Sequence, residues 1–255
     1  MGTSGREAVA RVDRGIDAQA RPVAASLHAQ SNKLERATAQ VVASAATYDL
    51  PASPIATEGA RQFPEVDEID AARAREYALL STLLARAPTA ALLKRLSELR
   101  GDATPLGVAH AALAEAASRA DVTRVEREYF ELFIGIGRGE LLPYGSFYIS
   151  GFLYERPLAR LRAHLDRLGI ERSAGQSEPE DHAAILCEIM AKLISGDLPA
   201  PAGADRELFE QHLQPWIGRF FADLEQANAA DFYQRVASVG RVLVSIETEA
   251  FALPS

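Results

Sequence analysis

Ionisable side chains are grouped most densely in the run Glu178-Pro179-Glu180-Asp181-His182. A carboxylate beside a histidine suits general acid–base chemistry, but no nucleophile motif such as G-x-S-x-G or H-E-x-x-H accompanies it. A metal site would need further ligands, because sequence neighbours such as Asp181 and His182 point to different faces of a helix. These residue types therefore favour neither a catalytic centre nor a metal site.

Two interpretations of the same run remain open. Pro179 predicts the start of a helix, and Glu180 and Asp181 in its first turn would complement the positive end of the helix dipole. Carboxylates grouped in this way would also pair with an arginine-bearing peptide through charge-assisted, often bidentate hydrogen bonds.

Aromatic side chains crowd residues 128–148, which read EYFELFIGIGRGELLPYGSFY. The segment PYGSFY at 143–148 places aromatic residues in a loop between predicted helices. Tyr144 offers rigid apolar area with a polar tip, which suits a peptide-binding groove. Phe147 is expected to fill the core. For the loop as a whole, core packing and partner binding are equal alternatives.

Glycines at 135, 137 and 139 suggest a phosphate-binding loop, but the detail excludes it. A dinucleotide fingerprint needs a glycine at the position of Glu140 and a helix directly afterwards, and a P-loop needs a Lys-Ser or Lys-Thr pair. We therefore interpret this segment as a helix end followed by a turn.

The net charge of −8 and a pI near 5.2 argue against nucleic acid as a partner. An acidic surface suits a basic peptide, although it also serves solubility alone. Cys187 is the only cysteine, so no intramolecular disulfide is expected, and its apolar neighbours predict burial.

No apolar stretch reaches the roughly 18 residues of a membrane span, and the N-terminus shows no secretory h-region. The chain contains no Arg-Arg pair and is therefore not predicted to be a twin-arginine export substrate itself. We expect a cytoplasmic protein without stable membrane insertion.

The apolar spacing from Ile69 onward is helical, and no strand pattern of useful length appears. Asp70, Thr89, Thr104 and Asp121 are the predicted N-caps of four successive helices. Further helices are predicted over 146–154, 157–168, 179–195, 205–226 and 230–252. The expected architecture is all-α, a helical bundle of two halves joined by a hinge loop near 171–178.

Residues 1–65 differ from the remainder of the chain, with few large apolar side chains and a proline-rich stretch at 49–64. We predict an extension and linker over 1–65, poorly structured or loosely docked, and one all-helical domain over 66–255.

Three motifs in order resemble the TorD/DmsD/NarJ family of molybdoenzyme-specific maturation chaperones. The run from Tyr129 to Gly135 is similar to the family's Y-x-x-L-F-x-G motif, and PYGSFY at 143–148 is similar to its P-[YW]-x-S-x-Y motif. The run at 178–182 is similar to its E-P-x-D-H motif. The late segment HLQPW at 212–216 also fits, so that the resemblance covers roughly residues 69–252.

The resemblance implies a cytoplasmic chaperone, not an enzyme. Such a protein binds the twin-arginine leader and apo form of a molybdopterin-dependent oxidoreductase and assists cofactor insertion before export or assembly. No resident metal or cofactor is expected. The resemblance alone implies weak binding of guanine nucleotides, because the glycine segment at 135–139 does not match a phosphate-binding motif. The residues that it implicates in leader binding are Leu132, Phe133, Pro143, Tyr144, Ser146, Tyr148, Glu180, Asp181 and His182.

Within that assignment, we expect an amphipathic leader helix to lie on Leu132, Phe133 and Tyr144 while Glu180 and Asp181 attract its arginines. Alternatives are a helical adaptor that binds a folded partner, and a metal-dependent nucleotide hydrolase. The protein is expected to be a monomer or a domain-swapped dimer.

Overall fold

A computed structural model describes residues 68–172 and 177–253. Within these residues the chain forms ten α-helices, two of which continue into a π-helical turn, and it forms no β-strand. The helices are α1 (Glu68–Ala85), α2 (Ala90–Ser97), α3 (Pro105–Arg119), α4 (Val122–Tyr129), α5 (Gly145–Ser150), α6 (Arg156–Arg167), α7 (Ala183–Ser195), α8 (Ala204–Leu208), α9 (Ile217–Gln226) and α10 (Phe232–Ala252). The π-helical turns are Phe130–Ile134, after α4, and Phe209–Leu213, after α8. The all-α prediction is confirmed.

Polar caps begin the second, third and fourth helices as predicted. Thr89 accepts a hydrogen bond from the backbone N–H of Leu92, and Thr104 accepts one from that of Gly107. Asp121 does the same for α4. Asp70 was wrongly predicted as a cap, because α1 begins at Glu68 and Asp70 lies inside its first turn.

Two later helix boundaries also differ from the prediction. The helix expected from residue 179 begins at Ala183, because 180–181 form a turn and His182 is the N-cap. The helix expected over 205–226 is divided into α8, a π-helical turn and α9, with Pro215 in the break. Proline lacks the backbone N–H that a continuous helix requires.

Helices from both sides of the 168–182 segment pack into one hydrophobic core. α1 lies along α7, α10 packs against α3 and α9, and α2 packs against α3. The largest side chains with almost no exposure are those of Trp216, Tyr77, Tyr233, Phe209, Phe220 and Phe221. Trp216 and Cys187 are buried, as their sequence context predicted.

One buried carboxylate joins α1 to α10. Glu247 is 1% exposed and accepts hydrogen bonds from Nε and Nη2 of Arg73, each at 2.7 Å, and from the Tyr77 hydroxyl at 3.2 Å. Arg73 also pairs with Asp70 and Asp205. The first and last described helices are therefore held together by a hydrogen-bonded charge cluster as well as by apolar packing.

The predicted extension over residues 1–65 lies outside the described residues, as does the centre of the predicted hinge loop, 173–176. In the part of the chain that the structure describes, no helix is both long enough and apolar enough to cross a membrane.

Candidate functional site

The second and third family motifs are joined through Asp181. The Asp181 carbonyl accepts a hydrogen bond from the backbone N–H of Gly145 at 2.9 Å. Its carboxylate Oδ2 accepts another from the backbone N–H of Ser146 at 2.7 Å. Because Gly145 and Ser146 begin α5, Asp181 caps that helix from a distant part of the chain.

A short backbone pairing extends this junction. Tyr144 and His182 form an antiparallel bridge, and the Ala183 N–H donates to the Pro143 carbonyl at 2.8 Å. The rings of Tyr144 and His182 meet edge to face, with centroids 5.0 Å apart. The two motifs, about forty residues apart in sequence, therefore form one structural unit.

His182 has a structural task in this unit. Its Nδ1 accepts a hydrogen bond from the backbone N–H of Ala184 at 3.1 Å, which caps α7. Burial lowers the pKa of His182, so the neutral ring that this hydrogen bond needs is the favoured form. With His182 and Asp181 both engaged in capping, neither is arranged as the general base of the hydrolase alternative.

Glu180 is also engaged within the fold. It is 7% exposed, and its Oε2 accepts a hydrogen bond from Nε of Arg162 at 2.9 Å and forms an ion pair with Nη2 at 2.8 Å. This pair joins the segment before α7 to α6. The arginine partner of Glu180 thus comes from the chain itself.

A second remote cap is provided by Glu128, the residue directly before the first motif. Both carboxylate oxygens of Glu128, which is 8% exposed, accept hydrogen bonds from the backbone N–H groups of Asp231, Phe232 and Tyr233 at 2.7–3.1 Å. These groups begin α10. Sequence reasoning missed this role, because the capped helix starts about a hundred residues later and no local pattern marks the pairing.

Six of the nine predicted leader-binding residues are buried: Leu132, Pro143, Ser146, Glu180, Asp181 and His182. The expectation that a leader helix lies directly on Leu132 is corrected, because that side chain has no exposed surface. The expectation that Glu180 and Asp181 face the leader's arginines is corrected as well, since both carboxylates are buried and bonded within the fold.

The other three predicted residues, Phe133, Tyr144 and Tyr148, are half-buried. The ring of Phe133 lies 5.2 Å from that of Tyr129. Tyr148 packs on Trp216 with ring centroids 5.6 Å apart. Burial and the nearby carboxylate of Asp223 raise the pKa of Tyr148.

Glu178, which contacts Tyr144, is a carboxylate that was not among the predicted leader-binding residues. It is half-buried, and its Oε2 accepts a hydrogen bond from the Tyr144 hydroxyl. Burial, followed by the charge of Glu178, raises the pKa of both Tyr144 and Tyr129. Two contacting pairs, Phe133 with Tyr129 and Glu178 with Tyr144, together make up what we call the aromatic–acidic surface. The signal for Glu178 was present, because it is the first residue of the E-P-x-D-H run.

A cavity of about 510 Å³ lies beside α5. Its lining comes from α5, α6, the segment 211–215 and Asp181. Asp181 Oδ1 and Ser146 Oγ are buried and have no hydrogen-bond partner among the described residues. Arg160 and Arg167 of α6 also line the cavity and are exposed.

Within the described residues, no group of three or more acidic, cysteine or histidine side chains could hold a metal ion.

Comparisons with known proteins found a family model and several curated relatives that are similar to part of this chain. The family model described as nitrate reductase delta subunit matches residues 99–222. A chaperone protein TorD from Actinobacillus succinogenes is 27% identical over 42% of this chain and 54% of its own length. A chaperone protein TorD from Shewanella loihica is 24% identical over 73% of this chain and 97% of its own length. The chain spans little more than half the length of the first curated relatives that it matches.

A solved structure of a candidate redox enzyme maturation protein from Archaeoglobus fulgidus is also similar. It is 18% identical, covers 76% of this chain and 99% of its own, and has a TM-score of 0.46. A likeness this distant carries no argument about function.

The all-helical fold, the ordered motifs and the family model that matches residues 99–222 agree with one another. The chain is similar to members of the TorD/DmsD/NarJ family. Its relatives are named as chaperones, which agrees with the prediction of a protein that is not an enzyme.

Proposed function

We propose that this protein is a cytoplasmic maturation chaperone for a molybdopterin-dependent oxidoreductase. It binds the client's twin-arginine leader and apo form and assists cofactor insertion before export or assembly. The names of the relatives support the chaperone class. The second and third family motifs, which meet around α5 and α7, support a shared binding region.

The observation that carries the leader-binding part is the hydrogen bond from the Tyr144 hydroxyl to the carboxylate of Glu178. It places an anionic group at the edge of half-buried aromatic rings. A leader combines apolar residues with two arginines, so it needs an apolar surface with a carboxylate beside it. Phe133 and Tyr144 supply that surface, and Glu178 supplies the charge.

The remaining predicted residues act indirectly in this proposal. Asp181, Ser146, Pro143 and His182 hold α5 and Tyr144 in place through the junction between the motifs. Leu132 supports Phe133 from within the core. Tyr148 anchors the other side of α5 on Trp216.

Binding of a synthetic twin-arginine leader peptide, measured by calorimetry, tests this assignment. Tyr144→Phe and Glu178→Gln each keep the size of the side chain and remove the hydroxyl or the charge. Glu178→Gln is expected to weaken binding by about tenfold, corresponding to about 1.4 kcal/mol, because it removes a charge-assisted contact to arginine. Glu126→Gln, at an exposed carboxylate of α4, is the matched control.

A twin-lysine version of the same peptide provides a second comparison. Lysine cannot form the bidentate pair that arginine forms with a carboxylate, so wild-type protein should bind it more weakly. Glu178→Gln should reduce that difference between the peptides. Equal binding of both peptides by wild-type protein, or no effect of Glu178→Gln, would contradict the assignment.

A further inference from the structure

Helix α6 is strongly basic in an acidic protein. Its twelve residues contain four arginines and one aspartate, whereas the whole chain has a net charge of −8. Arg156, Arg160 and Arg167 lie at spacings of four and seven, which place them along one helix face. All three are exposed.

Two of these arginines have no polar partner among residues 68–172 and 177–253. Arg156 and Arg160 form no ion pair or hydrogen bond with the residues that the structure describes. Arg167 approaches Glu207 at 3.9 Å, and its Nη1 donates to the Ala163 carbonyl. Arg162 differs, because Glu180 engages it.

Exposed apolar side chains directly precede this basic helix in the chain. Ile149, Phe152 and Tyr154, at the end of α5 and in the loop to α6, are 48%, 68% and 69% exposed. Tyr154 also has a φ of +62°, which is uncommon for a residue other than glycine. Large aromatic groups held at a surface in this way are typical of protein interaction sites.

The 510 Å³ cavity is lined by one of the exposed apolar residues and by two of the arginines. Ile149 from α5 and Arg160 and Arg167 from α6 contribute to its lining. Its buried wall contains Asp181 Oδ1 and Ser146 Oγ, which have no partner among the described residues although Asp181 is 3% exposed and Ser146 is fully buried. A buried carboxylate oxygen calls for a hydrogen-bond donor.

We propose that the cavity, which Ile149, Arg160 and Arg167 help to line, binds an acidic amphipathic peptide segment of a partner protein. Phe152, Tyr154 and Arg156, which are exposed and close to these residues in the chain, complete this face. Carboxylates of the segment pair with the arginines, and its apolar side chains cover the exposed aromatic groups. Its N–H donors reach Asp181 Oδ1 and Ser146 Oγ. A basic leader would be repelled here, so this surface goes beyond leader binding and adds a second ligand of opposite charge.

An anionic membrane surface shares part of this chemistry, because it also attracts arginines and aromatic side chains. The peptide fits better for two reasons. A lipid headgroup layer does not enter a cavity to reach buried polar atoms, and the net charge of −8 opposes approach to an anionic bilayer. Vesicle binding is therefore an outcome that the test must distinguish.

Fluorescence anisotropy with two synthetic peptides tests the proposal on the full chain. Both peptides are twelve residues long, the length of α6, and have the same apolar residues on one helix face. The polar positions are glutamate in one peptide and lysine in the other. Wild-type protein is expected to bind the acidic peptide at least about tenfold more tightly. Equal affinities, or no binding of the acidic peptide, would overturn the proposal.

Three variants sharpen the result. Arg156→Glu/Arg160→Glu should weaken acidic-peptide binding by about tenfold or more, whereas Arg75→Glu/Arg95→Glu, at exposed arginines of α1 and α2, should not. Phe152→Ser, at an exposed position, should weaken it without unfolding the protein. Retained binding in both face variants would overturn the proposal.

Two further measurements separate this surface from the leader-binding surface and from a lipid-binding one. Leader binding should persist in Arg156→Glu/Arg160→Glu, so that failure of one proposal is visible independently of the other. Vesicles of phosphatidylglycerol should compete poorly with the acidic peptide. Vesicle binding that Arg156→Glu/Arg160→Glu abolishes, without peptide binding by wild-type protein, would assign the face to lipid and overturn the peptide proposal.

Discussion

Asp181 caps α5 although it lies 35 residues after Ser146 in the sequence: its Oδ2 accepts a 2.7 Å hydrogen bond from the backbone N–H of Ser146. This contact joins two motifs that sequence alone would treat as separate binding elements. It also explains why an aspartate stands at this position, because a shorter or apolar side chain leaves the start of α5 without an acceptor.

Removing the cap should therefore destabilise the protein before it affects any ligand directly. We expect Asp181→Ala to lower the free energy of unfolding by about 1–2 kcal/mol, as measured by urea denaturation. Asp181→Asn keeps an oxygen acceptor for the Ser146 N–H and should cost less. An Asp181→Ala protein as stable as wild type would contradict the capping role.

The cluster that joins α1 to α10 predicts a non-additive mutant pair. Arg73→Met leaves the Glu247 carboxylate buried without its main partner and should cost about 3–5 kcal/mol. Adding Glu247→Leu removes that uncompensated charge, so the double variant should be more stable than Arg73→Met alone. Thermal or urea unfolding of the four proteins measures the coupling, and strictly additive costs would refute it.

Close packing between α9 and α10 predicts opposite effects for two helical glycines. A Cβ at Gly240 would lie 2.3 Å from the ring of Phe221, so Gly240→Ala should cost about 1–3 kcal/mol through overpacking. A Cβ at Gly218 would meet only Val244, at 3.7 Å, so Gly218→Ala should be neutral or stabilise by up to about 1 kcal/mol. Destabilisation of similar size by both substitutions would contradict the close approach of the two helices at Gly240.

A histidine pair between α6 and the second π-helical turn predicts a loss of stability in acid. Nδ1 of His164 lies 2.9 Å from Nε2 of His212, so one ring must stay neutral to accept the hydrogen bond. Burial, followed by the charges of His164 and Arg167, lowers the pKa of His212 to about 4. Burial also lowers the pKa of His164. The charge of Glu207 opposes both shifts.

The unfolded chain therefore binds protons at a higher pH than the folded protein does. The stability that neutral His212 confers is present above the ordinary histidine pKa of about 6.5 and is lost as the pH falls toward about 4. His212→Gln should flatten the dependence of unfolding free energy on pH in that interval. An unchanged slope in the variant would show that the pair does not titrate in this way.

The fold was largely predictable because its determinants are local. Thr89, Thr104 and Asp121 cap the helices that their sequence positions indicated. The exceptions arose where a longer-range contact decided the local structure. His182 caps α7 with its ring, a role that is not among the usual N-cap preferences, so the predicted helix start was too early.

The candidate site was less predictable, because the polar residues of the motifs have structural and binding roles that sequence does not separate. The carboxylates of Glu128, Glu180 and Asp181 are all used within the fold. Glu178, one residue before the proline, also accepts a hydrogen bond within the fold, from the Tyr144 hydroxyl, but it is only half-buried. Only tertiary contacts distinguish these cases, since each partner lies far away in the chain.

The most direct test of the proposed function is to capture the protein from a lysate of its native cells, grown by anaerobic respiration, and identify the bound client by intact mass. We predict a molybdoenzyme catalytic subunit that still carries its twin-arginine leader and lacks its molybdopterin cofactor, with much lower recovery by Glu178→Gln than by Glu126→Gln. Recovery of only mature, cofactor-loaded partners, or equal recovery by both variants, would contradict the chaperone account.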